Sequence, residues 1–205
     1  MDRSNAVQLS QPDDEARVKL VEKQTVWKRF IHLQTMVFEQ QTRDGRTIRI
    51  HREVHDHGVA AAILLFDPKR EEIVLVRQFR PGAFANGDAS FMLEIPAGLT
   101  DGDQPDEAIR RESMEETGYA VSAPRYLFDT YASPGTLTEK ISLFYARVDL
   151  AKKAGKGGGL ETEGEDIEVL TVPLNEAYGM IASGEITDSK TIIMLQWAML
   201  NRASL

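Results

Sequence analysis

The 205 residues, 42% of them hydrophobic, can bury the core of one domain, or of one domain with an appendage, and they exclude a wholly disordered chain. With no cysteine, a disulfide framework, a thiolate nucleophile and a Cys-based zinc centre are all excluded. A net charge of −8, without a basic stripe interleaved with aromatics, argues against nucleic acid held by phosphate neutralisation; an anionic small molecule would need local compensation from metal ions or a few placed arginines.

The first twenty or so residues read as polar and lack the basic-then-apolar pattern of a secretory signal. The longest apolar run, VAAAILLF at 59–66, is too short to span a bilayer, so the expectation is a soluble cytoplasmic protein without a membrane partner. FIHLQTMVFEQQ and RTIRIHREV flank the turn signal TRDG and predict a hairpin. VAAAILLFD and EEIVLVRQF predict two strands around PKR, the first buried on both faces. SFMLEIPAG adds a strand. A helix follows that opens around Asp103, takes Pro105 into its first turn and closes at Gly118, where a left-handed cap is expected. YLFDTYA and EKISLFYARVDL predict strands around SPGTLT. AKKAGKGGGLETEGED lacks an apolar period, and loops of that length are usually functional or disordered. IEVLTVP is a last strand, and NEAYGMIASGE and SKTIIMLQWAMLNRA are helices. Strands and helices mixed without strict βαβ alternation predict an α/β sandwich.

Steps of three and four residues put Glu112, Glu115 and Glu116 on one side of the predicted helix, where like charges repel by a few tenths of a kcal/mol per pair. Two readings fit the triplet: a solvated acidic face, or a site for a hard divalent cation such as Mg2+. His51, His55 and His57 alternate onto one strand face, a pattern that a zinc site could use, but no open-site partner is evident and they read as strand residues. Gly157, Gly158 and Gly159 lack the strand-to-helix context of a phosphate loop and read as a hinge for the loop after them.

Residues 98–119, GLTDGDQPDEAIRRESMEETGY, resemble the signature box of the Nudix hydrolases, with Arg111-Glu112, Glu115-Glu116 and Gly118 at the family's spacing. There are two departures. Asp103 stands one residue closer to Gly98 than usual, which alters the loop, and Ser113 replaces an aliphatic, which weakens the helix's packing face. REVHDHGVAAAILL, VLVRQFR, EIPAGL, YASPG and GEDIEV extend the resemblance to the subgroup that cleaves nucleotide sugars such as ADP-ribose and GDP-mannose. AGLTDGDQP, GGGLETEGEDIEVL and GEITDSKT are most similar to the bacterial GDP-mannose branch.

The resemblance implies a Nudix α/β/α sandwich with a mixed sheet over 58–205, preceded by an N-terminal antiparallel strand region over 1–57 that serves dimerisation and part of the substrate pocket. It implies hydrolysis of a nucleotide sugar, GDP-mannose before ADP-ribose, with two or three Mg2+ ions for which Mn2+ can substitute. A non-catalytic sensor of the same ligands is the rival of another class. Glu112, Glu115, Glu116, Glu165 and the carbonyl of Ala97 are the implied metal ligands. Glu163 is the implied base, with Glu165, Glu115 and Arg111 in the catalytic group. Arg80, Gly98, Leu99, Glu139 and Lys190 are implied substrate contacts, as are Arg52 and Glu53. A homodimer with a shared active site is implied, in which Trp27 and Phe30 could stack on a purine or anchor the hairpin.

Overall fold

The computed structural model describes residues 14–205; most of the polar start lies outside the described residues. The chain divides into two compact units.

The first unit runs to His57 and includes residues 133–138. Strands β1 (Val18–Lys28), β2 (His32–Gln41) and β3 (Thr47–Asp56) form an antiparallel sheet in that order. The predicted hairpin is β2–β3. Strand β1 was not legible because its register slips at Leu20/Glu22 and again at Thr25/Trp27, which breaks the period of two on which strand reading depends. Residues 133–138 bond to β3: His55 donates its N–H to the carbonyl of Thr136 at 2.8 Å, and Thr138 donates to His55 at 3.0 Å. This unit buries little. Every residue of β1 is exposed, and in β2 only Gln34 and Val37 are buried.

The second unit covers residues 58–132 and 139–205. Its central strands are β4 (Val59–Asp67) and β5 (Glu72–Phe79). After α1 (Pro81–Asn86) come two short strands, β6 (Phe91–Glu94) and β7 (Ala97–Leu99), then α2 (Pro105–Glu112). The remaining elements are β8 (Arg125–Tyr131), β9 (Lys140–Arg147), β10 (Glu168–Pro173), α3 (Leu174–Ser183) and α4 (Ser189–Leu200). The sheet runs β10-β5-β4-β9-β8, with β6 on β5 and β7 on β4; β4–β9 is parallel and the other pairs are antiparallel.

Alternation along β4 explains the layering. Ala60, Ala62, Leu64 and Phe66 pack with Leu174, Ala177, Met194 and Leu195 of α3 and α4, whereas Ala61, Ile63 and Leu65 pack with Ile109 of α2 and with Tyr119. Both faces of the strand are therefore covered, as its unbroken apolar run predicts. Fully buried side chains such as Ile63, Leu64 and Leu65 each contribute about 1.5–3 kcal/mol. Asp67, at the end of β4, is buried yet satisfied: its carboxylate accepts the N–H groups of Lys69, Arg70 and Leu150. Among the described residues, no helix is long and apolar enough to cross a membrane.

Candidate active site

Helix α2 begins as the sequence predicts, with Pro105 at its first position, and the chain leaves in a left-handed turn at Gly118 with φ of 78°. Between them the helix does not stay α. Residues Ser113–Thr117 form a π-helical turn, a wide turn often found at functional sites, so Glu112 closes the α segment while Glu115 and Glu116 belong to the π segment. Ser113, the departure from the aliphatic position, explains part of this. It is fully buried, and its hydroxyl donates to the carbonyl of Tyr119 at 2.8 Å. Thr117 donates its hydroxyl to the carbonyl of Ser113 and accepts the Tyr119 N–H. A hydroxyl at 113 thus fastens the exit of the turn, which an aliphatic could not do.

The carboxylates are not equivalent. Arg111 contacts Glu112 at 2.8 Å and Glu115 at 3.0 Å, and donates to the carbonyl of Leu99 at 3.3 Å. It is the strut that keeps two of the acids together. Glu116 is only 2% exposed; it accepts the Ala97 N–H at 3.0 Å and the Gln78 side-chain amide at 3.3 Å. Burial pushes its carboxyl up to about 8, against the Ala97 N–H, with the charges of Glu112 and Glu165 adding to the rise. Burial pushes Glu112 up to about 7, with Arg111 opposing and Glu115 and Glu165 reinforcing. Gly98 lies against the Glu112 carboxyl so closely that a side chain there would overlap it.

Glu165, intermediate in exposure, accepts the Leu160 N–H at 3.0 Å, and its charge acts on both Glu112 and Glu116. Glu163 is exposed in the turn Glu161–Glu163. Among the described residues no three His, Cys, Asp or Glu side chains converge on one point as they would around an ion. The physical reason is visible: Glu112 and Glu115 reach for Arg111, Glu116 for an amide and Gln78, and Glu165 for its own loop. The donor set nonetheless fits a hard divalent cation, because several carboxylates share one region with a single strut arginine and two of them resist ionisation without more positive charge.

A second group of charges adjoins the first. Arg80 follows β5 and grips Glu94 with both ends of its guanidinium, at 2.6 and 2.9 Å. Lys190 bonds the same carboxylate and stands 3.0 Å from Asp188. Asp188 caps α4 by accepting the N–H and hydroxyl of Thr191, whose oxygen in turn accepts the Ile95 N–H at 2.9 Å. Burial opposes the charge on Glu94, but Arg80 and Lys190 hold its carboxyl below its usual value. Burial likewise works against Lys190, and Glu94 and Asp188 more than offset it, so its pKa is raised. Glu94, Gln78 and Asp188 were not singled out from the sequence. Glu94 had a signal: one carboxylate within the apolar strand FMLE must be paired if buried.

The remaining expected contacts fall elsewhere. Glu139 precedes β9 and accepts the Ala132 N–H through its carbonyl. Trp27, Phe30, Arg52 and Glu53 belong to the first unit. There Arg52 and Glu53 line a cleft of roughly 690 Å³ with Glu22, Thr35, His51 and Thr136. Trp27 is 49% exposed beneath the Arg29 guanidinium, and Phe30, 83% exposed, meets His57 edge-on.

A mixed sheet between helices, with a helix bearing clustered carboxylates entered from a glycine-containing strand, defines a Nudix fold. The chain belongs to that family: the NUDIX domain model matches residues 56–194. Its relatives include a GDP-mannose pyrophosphatase from Cronobacter sakazakii, 42% identical over 180 residues that span 87% of this chain and 93% of the relative. Another, from Escherichia coli O1:K1 / APEC, is 41% identical over 186 residues, 90% of this chain and 96% of that protein. The crystal structure of an ADP compounds hydrolase shares the fold with a TM-score of 0.69 at 17% identity, covering 92% of this chain and 96% of that one. Nudix hydrolases generally use divalent metal ions such as Mg2+.

Proposed function

We propose that this protein hydrolyses the diphosphate of GDP-mannose to GMP and mannose 1-phosphate in the cytoplasm, using Mg2+, with Mn2+ as a substitute. The observation that carries the reading is the pair Glu112 and Glu116, whose carboxyls are pushed up to about 7 and about 8 by burial first, with the charges of Glu115 and Glu165 adding for Glu112 and those of Glu112 and Glu165 for Glu116. Likeness to GDP-mannose pyrophosphatases over nearly the whole chain supports the substrate.

Glu112, Glu116 and the Ala97 carbonyl would hold one ion, and Glu115 and Glu165 would hold a further one or two. Bound there, such ions neutralise phosphate oxygens and acidify water. Arg80 binds a diphosphate oxygen, and Glu94 keeps its guanidinium aimed. Lys190 binds the sugar side from the start of α4, with Glu139 beside the sugar. Gly98 and Leu99 pass beneath the diphosphate as main chain. Glu163 accepts one proton from water as its oxygen attacks phosphorus. The bond from that phosphorus to the bridging oxygen breaks, and the bridging oxygen leaves on the other phosphate. Arg111 holds Glu112 and Glu115 in register throughout.

The first unit is proposed to dimerise the protein and to bring Arg52, Glu53, Trp27 and Phe30 into a shared nucleotide pocket. Its support is the exposed apolar surface of β1 and its flank, including Val18, Leu20, Val26, Trp27 and Phe30, which a three-stranded sheet of this size leaves uncovered.

The test is a product assay on GDP-mannose, ADP-ribose and other nucleotide sugars with Mg2+. GMP and mannose 1-phosphate from GDP-mannose are expected; preference for ADP-ribose would overturn the substrate, and tight binding without products would make the protein a sensor. Light scattering should give a dimer. A chain truncated before Val59 should be poorly soluble and inactive, and a soluble, active monomer would remove both roles of the first unit.

A further inference from the structure

The carbonyls that end a helix have no partner within it and must find donors elsewhere. At the end of the carboxylate-bearing helix the donors come from residues 154–159. Ala154 and Gly155 donate their N–H groups to the carbonyl of Gly118 at 2.8 and 2.9 Å, Gly158 donates to Glu116 at 2.8 Å, and Gly159 donates to Glu115 at 3.0 Å. Glu115 and Glu116 therefore carry a metal-ligating side chain on one side and a loop amide on the other. These amides also place positive dipole ends at a helix terminus whose own negative end would add to the crowding of carboxylates.

The course of the chain here is one that only glycine follows without strain. Gly157, Gly158 and Gly159 have φ of 67°, 103° and 79°. Space is as restrictive as conformation. A methyl on Gly157 would stand 2.6 Å from the carbonyl carbon of Thr117, 2.8 Å from its oxygen and 2.9 Å from the oxygen of Glu116, all main-chain atoms that cannot swing aside. One on Gly159 would meet Cβ of Glu165 at 2.7 Å and Cδ1 of Ile167 at 3.0 Å. Beyond the glycines, Ile167 donates its N–H to the carbonyl of Gly158 at 3.1 Å, and the Leu160 carbonyl accepts the N–H groups of Glu163 and Glu165 at 3.0 and 3.2 Å. One side of the triplet is thus bonded to the π-helical turn and the other to the loop that bears Glu163 and Glu165.

We propose that Gly157, Gly158 and Gly159 are positioning residues for the hydrolysis: a fixed splice, not a hinge, that sets the separation of Glu165 from Glu112 and Glu116. The proposal rests on the metal and loop roles given above. A hinge needs free rotation about its bonds, and here the amides of Gly158 and Gly159 are bonded and the flanks of Gly157 and Gly159 are filled.

The experiment compares Gly157→Ala with Gly184→Ala. Both place a side chain at a left-handed φ, 67° and 82°, but a methyl on Gly184 at the end of α3 meets nothing within 4 Å. Both variants should melt lower than wild type, Gly157→Ala by more, because it adds main-chain overlap to the strain of a left-handed φ. Only Gly157→Ala should speed amide exchange at Gly158 and Gly159, by about 10-fold or more. Only it should weaken Mn2+ binding to the substrate-free protein by about 10-fold. Its kcat should fall by up to about 100-fold, the cost of a misplacement on the order of 1 Å, with little change in KM. Wild-type exchange is decisive even if Gly157→Ala does not fold: the Gly158 and Gly159 amides should be as protected as those of α2. Exchange at the rate of an open loop, or a Gly157→Ala variant that binds Mn2+ and turns over like wild type, overturns the splice. Protected amides and a normal Mn2+ response in a wild-type protein that releases no products from GDP-mannose would overturn the substrate reading and leave the splice standing.

Discussion

The two charge clusters of the second unit contain the same kinds of side chain and behave in opposite ways. Around Glu94, two carboxylates meet two cations, and both Glu94 and Lys190 are held more strongly ionised than usual. Around Glu116, four glutamates gather with Arg111 bridging only two of them, Glu112 and Glu115, and Glu112 and Glu116 are pushed toward the neutral acid. Both clusters are buried, so burial is not the difference. Charge balance is. A balanced cluster is finished by folding, whereas an unbalanced one carries a stored repulsion that a cation relieves.

The largest effect that tests this contrast is Glu116→Gln. Turnover should fall by more than about 100-fold, beyond what outer-shell partners of a metal usually cost. The metal-free variant should melt no lower than wild type, because it no longer confines a carboxylate among carboxylates. Mg2+ should raise the wild-type melting temperature and barely move that of the variant, since only the state that binds ion is stabilised. Wild-type activity at limiting Mg2+ would end the metal assignment.

Next come the loop glutamates. Glu163→Gln should lower kcat by about 10- to 100-fold or more, as loss of a general base does, with the half-saturating Mg2+ concentration unchanged. Glu165→Gln should raise that concentration by about 10-fold. Kinetics that show the reverse pattern would exchange the two roles.

The smallest effect on chemistry, though not on stability, belongs to Glu94→Gln. Removing the carboxylate leaves buried Lys190 with Asp188 alone, a loss of about 3 kcal/mol by chemical denaturation at pH 7, at the low end because Asp188 remains and Arg80 keeps about a third of its side chain in water. Glu94 has a depressed folded pKa, so its contribution is present above the unfolded value near 4.5 and is lost as pH falls through the lower folded value. The stability gap between wild type and variant should therefore close in acid. KM should rise several-fold while kcat moves less, as Arg80 loses its aim. A gap that persists in acid strong enough to protonate Glu94 in the folded protein would show that packing, not charge, holds the cluster.

The sequence carried the unbalanced cluster almost whole and the balanced one hardly at all. Glu112, Glu115 and Glu116 stand within five positions of one helix, where spacing is directly readable. Glu94, Arg80, Asp188 and Lys190 come from three separated segments, and only the folded sheet brings them together. The π-helical turn was hidden because no residue pattern announces an i to i+5 bond; Ser113 drew notice as a misfit without showing what it fastens. Helix α1 was missed because PGAFAN is too short to show a helical period. Strands β4, β5 and β9 and helices α2 and α4 were legible because their patterns run long enough to declare one face or two.

The parallel pairing of β4 with β9 sets an order of events for the newborn chain. Their register joins Val59 to Lys140 and Phe66 to Arg147, and β6, β7, α2 and the π-helical turn all lie in the segment that this pairing closes. Closing so long a loop is slow compared with forming local turns. Until Arg147 has left the ribosome, β4 lacks its parallel partner, and its seven consecutive buried apolar residues, Ala60 to Phe66, wait with one edge unpaired. The clustered carboxylates of α2 and its π-helical turn are thus made early in sequence and set in place late in time, and the interval between is when this chain is most exposed to aggregation.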